Sequence, residues 1–208
     1  MADSDDLLRR LRAGDEAAFR QLVQRHQRAM VGVAMGFVRN REAAMEVVQE
    51  TWLAAIDGGL DKFEGRSSLA TWLYAVLANK ARSRGVVDKR TQSLDFGGED
   101  GYGAEATVNP DRFDASGTWR DGPALVDPIT PERIVAGRQL WDHVREEIDQ
   151  LPALQRSVVL LRDVEHMRAS EVAEILDITA SNQRVLLHRA RARVRQFVED
   201  LLSSDPAG

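Results

Sequence analysis

The chain has 208 residues, of which 43% are hydrophobic and 29% charged, with no cysteine and a formal net charge of −5. That length carries one large domain or two small ones with real cores, and the missing cysteines exclude a disulfide framework and a thiolate metal site. The opening MADSDDLLRRLRAGDE lacks a basic-then-apolar signal pattern, and the longest apolar runs fall far short of the roughly 20 residues that cross a bilayer, so the expectation is a soluble, cytoplasmic protein with no membrane span.

Residues 5–13 read as a helix closed by Gly14. A second helical pattern runs from Asp15 to Val38, its apolar stripe formed by Phe19, Leu22, Val23, Met30, Val33, Ala34 and Phe37. A third runs from about Glu42 to Ile56, where Asp-Gly-Gly stops it. The polar stretch DKFEGRSS offers Ser67 or Ser68 as the N-cap of a fourth helix, over 69–85. From Thr91 to Pro131 periodicity is lost among glycines and X-Pro breaks, which reads as a connector between two domains. Helices resume with Thr-Pro-Glu-Arg at 130–133 and follow at about 132–150, 153–163, 170–177 and 181–202. The last two have the size of a helix-turn-helix. No segment alternates as a strand does, so the expected fold class is all-α.

Charge divides along the same lines. Residues 1–90 sum to +3, residues 91–135 to −6 and residues 136–208 to −2, so the acidity belongs mainly to the connector. The last helix nevertheless contains RVLLHRARARVR, five arginines and a histidine without an acid. On a helical wheel Leu187, Ala190, Val194, Phe197, Val198 and Leu201 share the inward face, while Arg184, Val185, His188, Arg189 and Ala192 lie opposite. This arrangement suits a recognition helix in a DNA major groove. Arg184 or Arg189 can bond a guanine edge, and Val185 can meet a thymine methyl. Arg191, Arg193 and Arg195 are candidate phosphate contacts, which add affinity without sequence information.

A second constellation spans 61–90. Leu69, Leu73, Val76 and Leu77 point inward, and Ala75, Asn79 and Arg82 share an outer face with Trp72 at its margin. Aromatic rings beside Lys and Arg can hold unpaired bases, although spacing alone favours a core role for Trp72 and Tyr74. The four histidines, at 26, 143, 166 and 188, share no metal-ligand spacing, so no metal and no cofactor is expected.

Together these stretches resemble the extracytoplasmic-function (sigma-70 family group 4) sigma factors of bacterial RNA polymerase. AFRQLVQRHQRAM, AMEVVQETWLAAID and FEGRSSLATWLYAVLANKARSR look like the sigma-2 domain, and LPALQRSVVLLRDVEHMRASEVAEILDITASNQRVLLHRARARVR looks like sigma-4. The implied layout is a sigma-2-like domain at 1–92, a long acidic Gly/Pro-rich linker at 93–130, a sigma-4-like helix-turn-helix domain at 131–203 and a tail at 204–208. The resemblance implies core RNA polymerase as partner, through its β′ clamp helices and β flap, together with promoter DNA and a possible anti-sigma factor. Glu46, Gln49, Glu50 and Leu53 match the polymerase-binding surface. Glu64, Gly65, Arg66, Ser67 and Ser68, with Asn79 and Arg82, match the part that holds the unpaired minus-ten strand. Arg184, Val185, His188 and Arg189 match the positions that face the minus-35 duplex. The recognition helix departs from the family's usual Thr-Val-Lys-Ser start: it reads Asn-Gln-Arg-Val, with Gln183 at a usually apolar site and Val185 at a usually polar one. In the family the connector threads polymerase channels otherwise used by nucleic acid, and residues 95–127 are acidic enough to mimic it there. The expected function is promoter recognition, melting and initiation without covalent catalysis. A stand-alone helix-turn-helix regulator would leave the 42–82 pattern without a use. An enzyme would need a histidine cluster or a phosphate loop that the chain lacks.

Overall fold

The computed structural model describes residues 2–91 and 131–204, with side chains described for 6–85 and 140–201. The expected connector at 93–130, and with it the nucleic-acid mimicry read from 95–127, lies outside the described residues. Every regular element among the described residues is helical.

The first half holds α1 (Ala2–Arg12), α2 (Glu16–Ala34), α3 (Arg41–Ala54), the single turn α4 (Leu60–Lys62) and α5 (Leu69–Thr91). α2, α3 and α5 each start on a side-chain cap. Asp15 accepts from the Ala17 and Ala18 amides at 2.9 and 3.0 Å, Asn40 from Ala43 at 2.8 Å, and Ser68 from Thr71 at 3.0 Å. Those amide bonds, helped by Arg10, hold the Asp15 carboxyl below its ordinary range. Of the two serines expected as caps, Ser68 takes the position. Asp-Gly-Gly stops the third helix as expected: Asp57, at ψ 52°, and Gly58, in the left-handed region at φ 82°, leave helical geometry, and the single turn α4 follows the kink. Arg12 ties α1 to this corner, donating to the Leu60 carbonyl at 3.0 Å and the Phe63 carbonyl at 2.5 Å.

The second half holds α6 (Pro131–Gln150), α7 (Ala153–Val159) with a widened turn at 160–164, α8 (Ala169–Leu176) and α9 (Ala180–Ser204). α9 packs on α6, α7 and α8. Leu151, Val158, Leu161 and Val172 fill the space between them.

The halves also pack on each other. α2 touches α7 and the turn after it, and α5 touches α8, so one continuous core runs through both. Residues 29–34 of α2 are buried on every side, as are residues 156–161. A helix buried all round has neighbours on all its faces. Here α3 and α5 cover one side of α2 and the second half covers the other. The closest approach falls at Gly32 and Gly36. A Cβ on Gly32 would lie 2.5 Å from Leu160 Cδ1, and one on Gly36 would lie 2.7 Å from Ser157 Oγ.

Candidate nucleic-acid interface

The turn from α8 to α9 is three residues, 177–179. Asp177 adopts the left-handed conformation at φ 56°, and the Ile178 amide donates back to the Ala173 carbonyl at 3.0 Å. Thr179 then caps α9, its hydroxyl accepting from the Asn182 amide at 3.1 Å. This is helix-turn-helix geometry, and it puts the first turns of α9 at the surface.

Arg184 and Val185 are exposed there, Val185 at 40%. Arg184 has no hydrogen bond or ion pair among the described residues, so its guanidinium is available to an outside acceptor. His188 and Arg189 are half-buried instead of fully exposed. Burial, and secondarily the Arg189 charge, lower the His188 pKa, which favours a neutral imidazole at pH 7. Gln183 is buried at 3% exposure, and its amide nitrogen has no partner. The amide therefore occupies a core position while Val185 faces out, and the helix keeps its register despite the two unusual residues. Leu187 and Ala190 are buried as the wheel requires. Ala192, expected on the open side, is buried without joining the core.

The three arginines read as phosphate contacts all face acids. Arg191 is bidentate to Asp163 at 2.7 and 2.9 Å, and this pairing raises its pKa. Arg193 meets Glu147 at 2.8 Å, and Arg195 meets Glu199 at 2.6 Å. The first two pairs tie α9 to the turn after α7 and to α6.

The second candidate surface follows α5. Glu64, Gly65, Arg66 and Ser68 are exposed before it and Ser67 is half-buried, with Gly65 at φ 71° and Arg66 paired to Glu64 at 3.0 Å. Asn79 lies eleven residues beyond Ser68, about 16 Å along the helix at 1.5 Å per residue. Asn79 is exposed and accepts from Arg82 Nη1 at 2.9 Å. Arg82 also stacks over Phe37 at 5.5 Å and donates through Nη2 to the Ile175 carbonyl of α8. Tyr74 is fully buried and takes no part in base stacking, whereas Trp72 is half-buried against Phe63, ring centroids 5.5 Å apart.

The third surface is α3. Glu46, Gln49, Glu50 and Leu53 are all exposed on one face, their spacing of three and four residues placing them side by side. Arg84 bridges Glu46 and Glu50, the latter at 3.4 Å. Met45 and Ile56, 50% and 59% exposed, extend this face and line a groove of about 500 Å³ with Gln27 and Trp52. The sequence reading missed both, although they stand at helical spacing from Leu53. No three His, Cys, Asp or Glu side chains converge to hold a metal among the described residues. No described helix is long and apolar enough to cross a membrane.

Known proteins carry the same two regions. The family described as Sigma-70 region 2 matches residues 22–85, and that described as Sigma-70, region 4 matches residues 142–194, together more than half of the chain. The RNA polymerase sigma-H factor of Pseudomonas aeruginosa is 28% identical over 197 residues, covering 94% of both chains. The ECF RNA polymerase sigma-E factor of Escherichia coli has the same identity and coverage. Among solved structures, the sigma factor RpoE in complex with the anti-sigma factor NepR from Bartonella quintana aligns with 90% of this chain and 98% of its own, at 21% identity and a TM-score of 0.48. With both regions in order along one chain, and relatives matching it nearly end to end, the chain belongs to the extracytoplasmic-function sigma factors, a non-catalytic family whose members bind core RNA polymerase and direct promoter recognition and transcription initiation.

Proposed function

We propose that residues 1–92 form the unit that binds polymerase and the minus-ten strand, that residues 131–203 form the minus-35 unit, and that the acidic stretch 93–130 links them. Arg184, Val185, His188 and Arg189 read the minus-35 duplex. The observation that supports this most strongly is the exposed pair Arg184 and Val185 on the outer face of the second helix of a helix-turn-helix, one without a partner and the other an apolar side chain in water. Arg191, Arg193 and Arg195 first brace α9 through Asp163, Glu147 and Glu199. As phosphate contacts they would have to share or leave those acids. Glu64 to Ser68, with Asn79, Arg82 and Trp72, hold the unpaired minus-ten strand, and melting is driven by tighter binding of extruded bases than of duplex.

The α3 face of Glu46, Gln49, Glu50 and Leu53, widened by Met45 and Ile56, docks on the β′ clamp helices, and the second half meets the β flap. An apolar row rimmed with acids suits a partner helix of opposite charge. An anti-sigma factor that masked these same surfaces would compete with polymerase. The linker occupies a polymerase channel as a nucleic-acid mimic, and the protein works in the cytoplasm. Promoter-directed transcription with purified core polymerase tests the minus-35 assignment. Arg184→Ala is expected to weaken promoter use by about 1–3 kcal/mol, roughly 5- to 150-fold, at unchanged polymerase binding. Wild-type output from this variant overturns the assignment.

A further inference from the structure

The apolar stripe of α2 is only partly covered at its start. Phe19 and Val23 are half-buried there, while Leu22 between them is buried. Arg12 ties α1 to the carbonyls of Leu60 and Phe63, and this strut sets α1 and α4 beside the first turns of α2. Between the three helices lies a cavity of about 590 Å³ whose apolar lining is Leu11, Phe19, Val23, Ile56 and Leu60. Gly14 leaves one corner open, since a Cβ there would meet nothing within 4 Å. Pockets of roughly 300–1,000 Å³ with an apolar lining and a few polar groups hold drug-sized molecules. Some of the polar lining is already engaged. Asp15 accepts from two amides and from Arg10 at 2.8 Å, and Arg12 is held by the two carbonyls. Glu16, Arg20, Gln24 and Asp61 are exposed, and their side chains have no hydrogen bond or ion pair among the described residues. Glu16, Arg20 and Gln24 follow one another at one-turn spacing along α2, and Asp61 stands on α4. Free groups of both signs therefore rim one apolar cavity.

We propose that this cavity binds a small zwitterion with an apolar body, a short apolar peptide with both ends free, its carboxylate on Arg20, its ammonium on Glu16 or Asp61 and its side chains on the apolar lining. The charges of the lining decide among ligand classes. A simple anion would gain Arg20 but meet the carboxylates of Asp15, Glu16 and Asp61. A simple cation would gain those acids but meet the guanidinium groups of Arg12 and Arg20. A zwitterion sets each of its charges against an opposite one. A peptide also offers its amide to Gln24, which can donate and accept. The cavity shares a wall with the α3 groove. Ile56, 59% exposed, lines both. Phe19 on the cavity side meets Trp52 of the groove edge-on, ring centroids 5.7 Å apart, and Trp52 donates to Gln27 Oε1 at 2.7 Å. One isoleucine side chain cannot pack fully on both sides at once. A peptide in the cavity therefore draws Ile56 from whatever docks in the groove, and by linkage the two ligands weaken each other equally. This coupling rests on the reading of α3 as the polymerase-docking face; the cavity itself does not.

The test titrates the full chain by calorimetry with the dipeptide leucyl-phenylalanine and with its N-acetyl, C-amide and doubly blocked forms. The free dipeptide should saturate a single site below about 1 mM. Each singly blocked form should bind about fivefold more weakly, and the doubly blocked form more weakly still. Arg20→Gln should reduce binding of the free dipeptide to that of its amide while leaving the amide unchanged. Glu16→Gln combined with Asp61→Asn should do the same for the N-acetyl form. These three side chains are exposed, so the substitutions leave the core alone. Val23→Trp, which fills the cavity, should abolish binding at unchanged circular dichroism. No saturable binding, binding that survives Val23→Trp, or equal binding of the doubly blocked peptide overturns the proposal, the last by pointing to an internal protein segment. For the coupling, saturating dipeptide should weaken the affinity for purified core polymerase about threefold or more, and Ile56→Ala should remove the difference. Equal affinity with and without dipeptide overturns the coupling. Leu53→Asp judges the α3 reading by itself: wild-type polymerase binding by that variant removes the reading, while the titrations still decide the cavity.

Discussion

At the scale of single residues, Gln183 shows how α9 is fixed in place. A buried amide nitrogen without a partner costs about 1–3 kcal/mol, and an apolar side chain of similar size removes that cost. Gln183→Leu should therefore raise the thermal midpoint by several degrees, read by circular dichroism. A lower midpoint would mean that the amide has a partner in solution. The neighbouring residues were legible to different degrees. Arg184 and Val185 could be assigned to the surface from the wheel alone, because exposure there depends only on helix phase. The pairing of Arg191 and Arg193 could not, because Asp163 and Glu147 lie 28 and 46 residues away in sequence and nothing local announces the contact, whereas Arg195 meets Glu199 one helical turn on.

At the scale of elements, the helices were readable to within a few residues because caps and breaks are local chemistry. Asp15, Asn40, Ser68 and Thr179 each satisfy amides of the helix they begin. The fourth helix nevertheless runs to Thr91, beyond the expected end at Gly85, since a lone glycine inside a helix costs only about 1 kcal/mol. α8 is short and leans on its start: Glu171 accepts from the Arg168 amide at 2.9 Å and from the Arg168 guanidinium at 3.1 Å. These contacts, the side-chain bond to Arg168 foremost, hold the Glu171 carboxyl below its ordinary pKa. A carboxylate depressed on folding contributes stability above its unfolded value, about 4, and loses it as pH falls through the folded one. Denaturant titrations between about pH 6 and pH 3 should show stability falling below about pH 4, with a shallower fall in Glu171→Gln. Equal slopes in the two proteins would assign the acid loss elsewhere.

At the scale of the whole molecule, the two-domain division was visible in periodicity and charge, whereas the packing of one half on the other was not. Its one sequence signal is Ala-Met-Val-Gly-Val-Ala at 29–34, which leaves α2 no polar face near its end. A single amphipathic stripe cannot account for a run in which every residue is buried; a second neighbour can. That seam also gives the protein a temperature response. Apolar contact weakens on cooling, because the solvent entropy that drives it fades. Energy transfer between dyes placed on α3 and α9 should fall as the free protein is chilled from about 25 °C to about 4 °C, and Gly32→Leu, which crowds Leu160 across the seam, should flatten that response. A distance that holds constant in the wild type would mean that the ion pairs across the seam, Arg28 with Asp149 among them, and not the apolar strip, keep the halves together. If the strip governs, cold loosens the contact between the halves before any partner arrives, and the fraction of molecules with the halves apart follows the temperature of the cell.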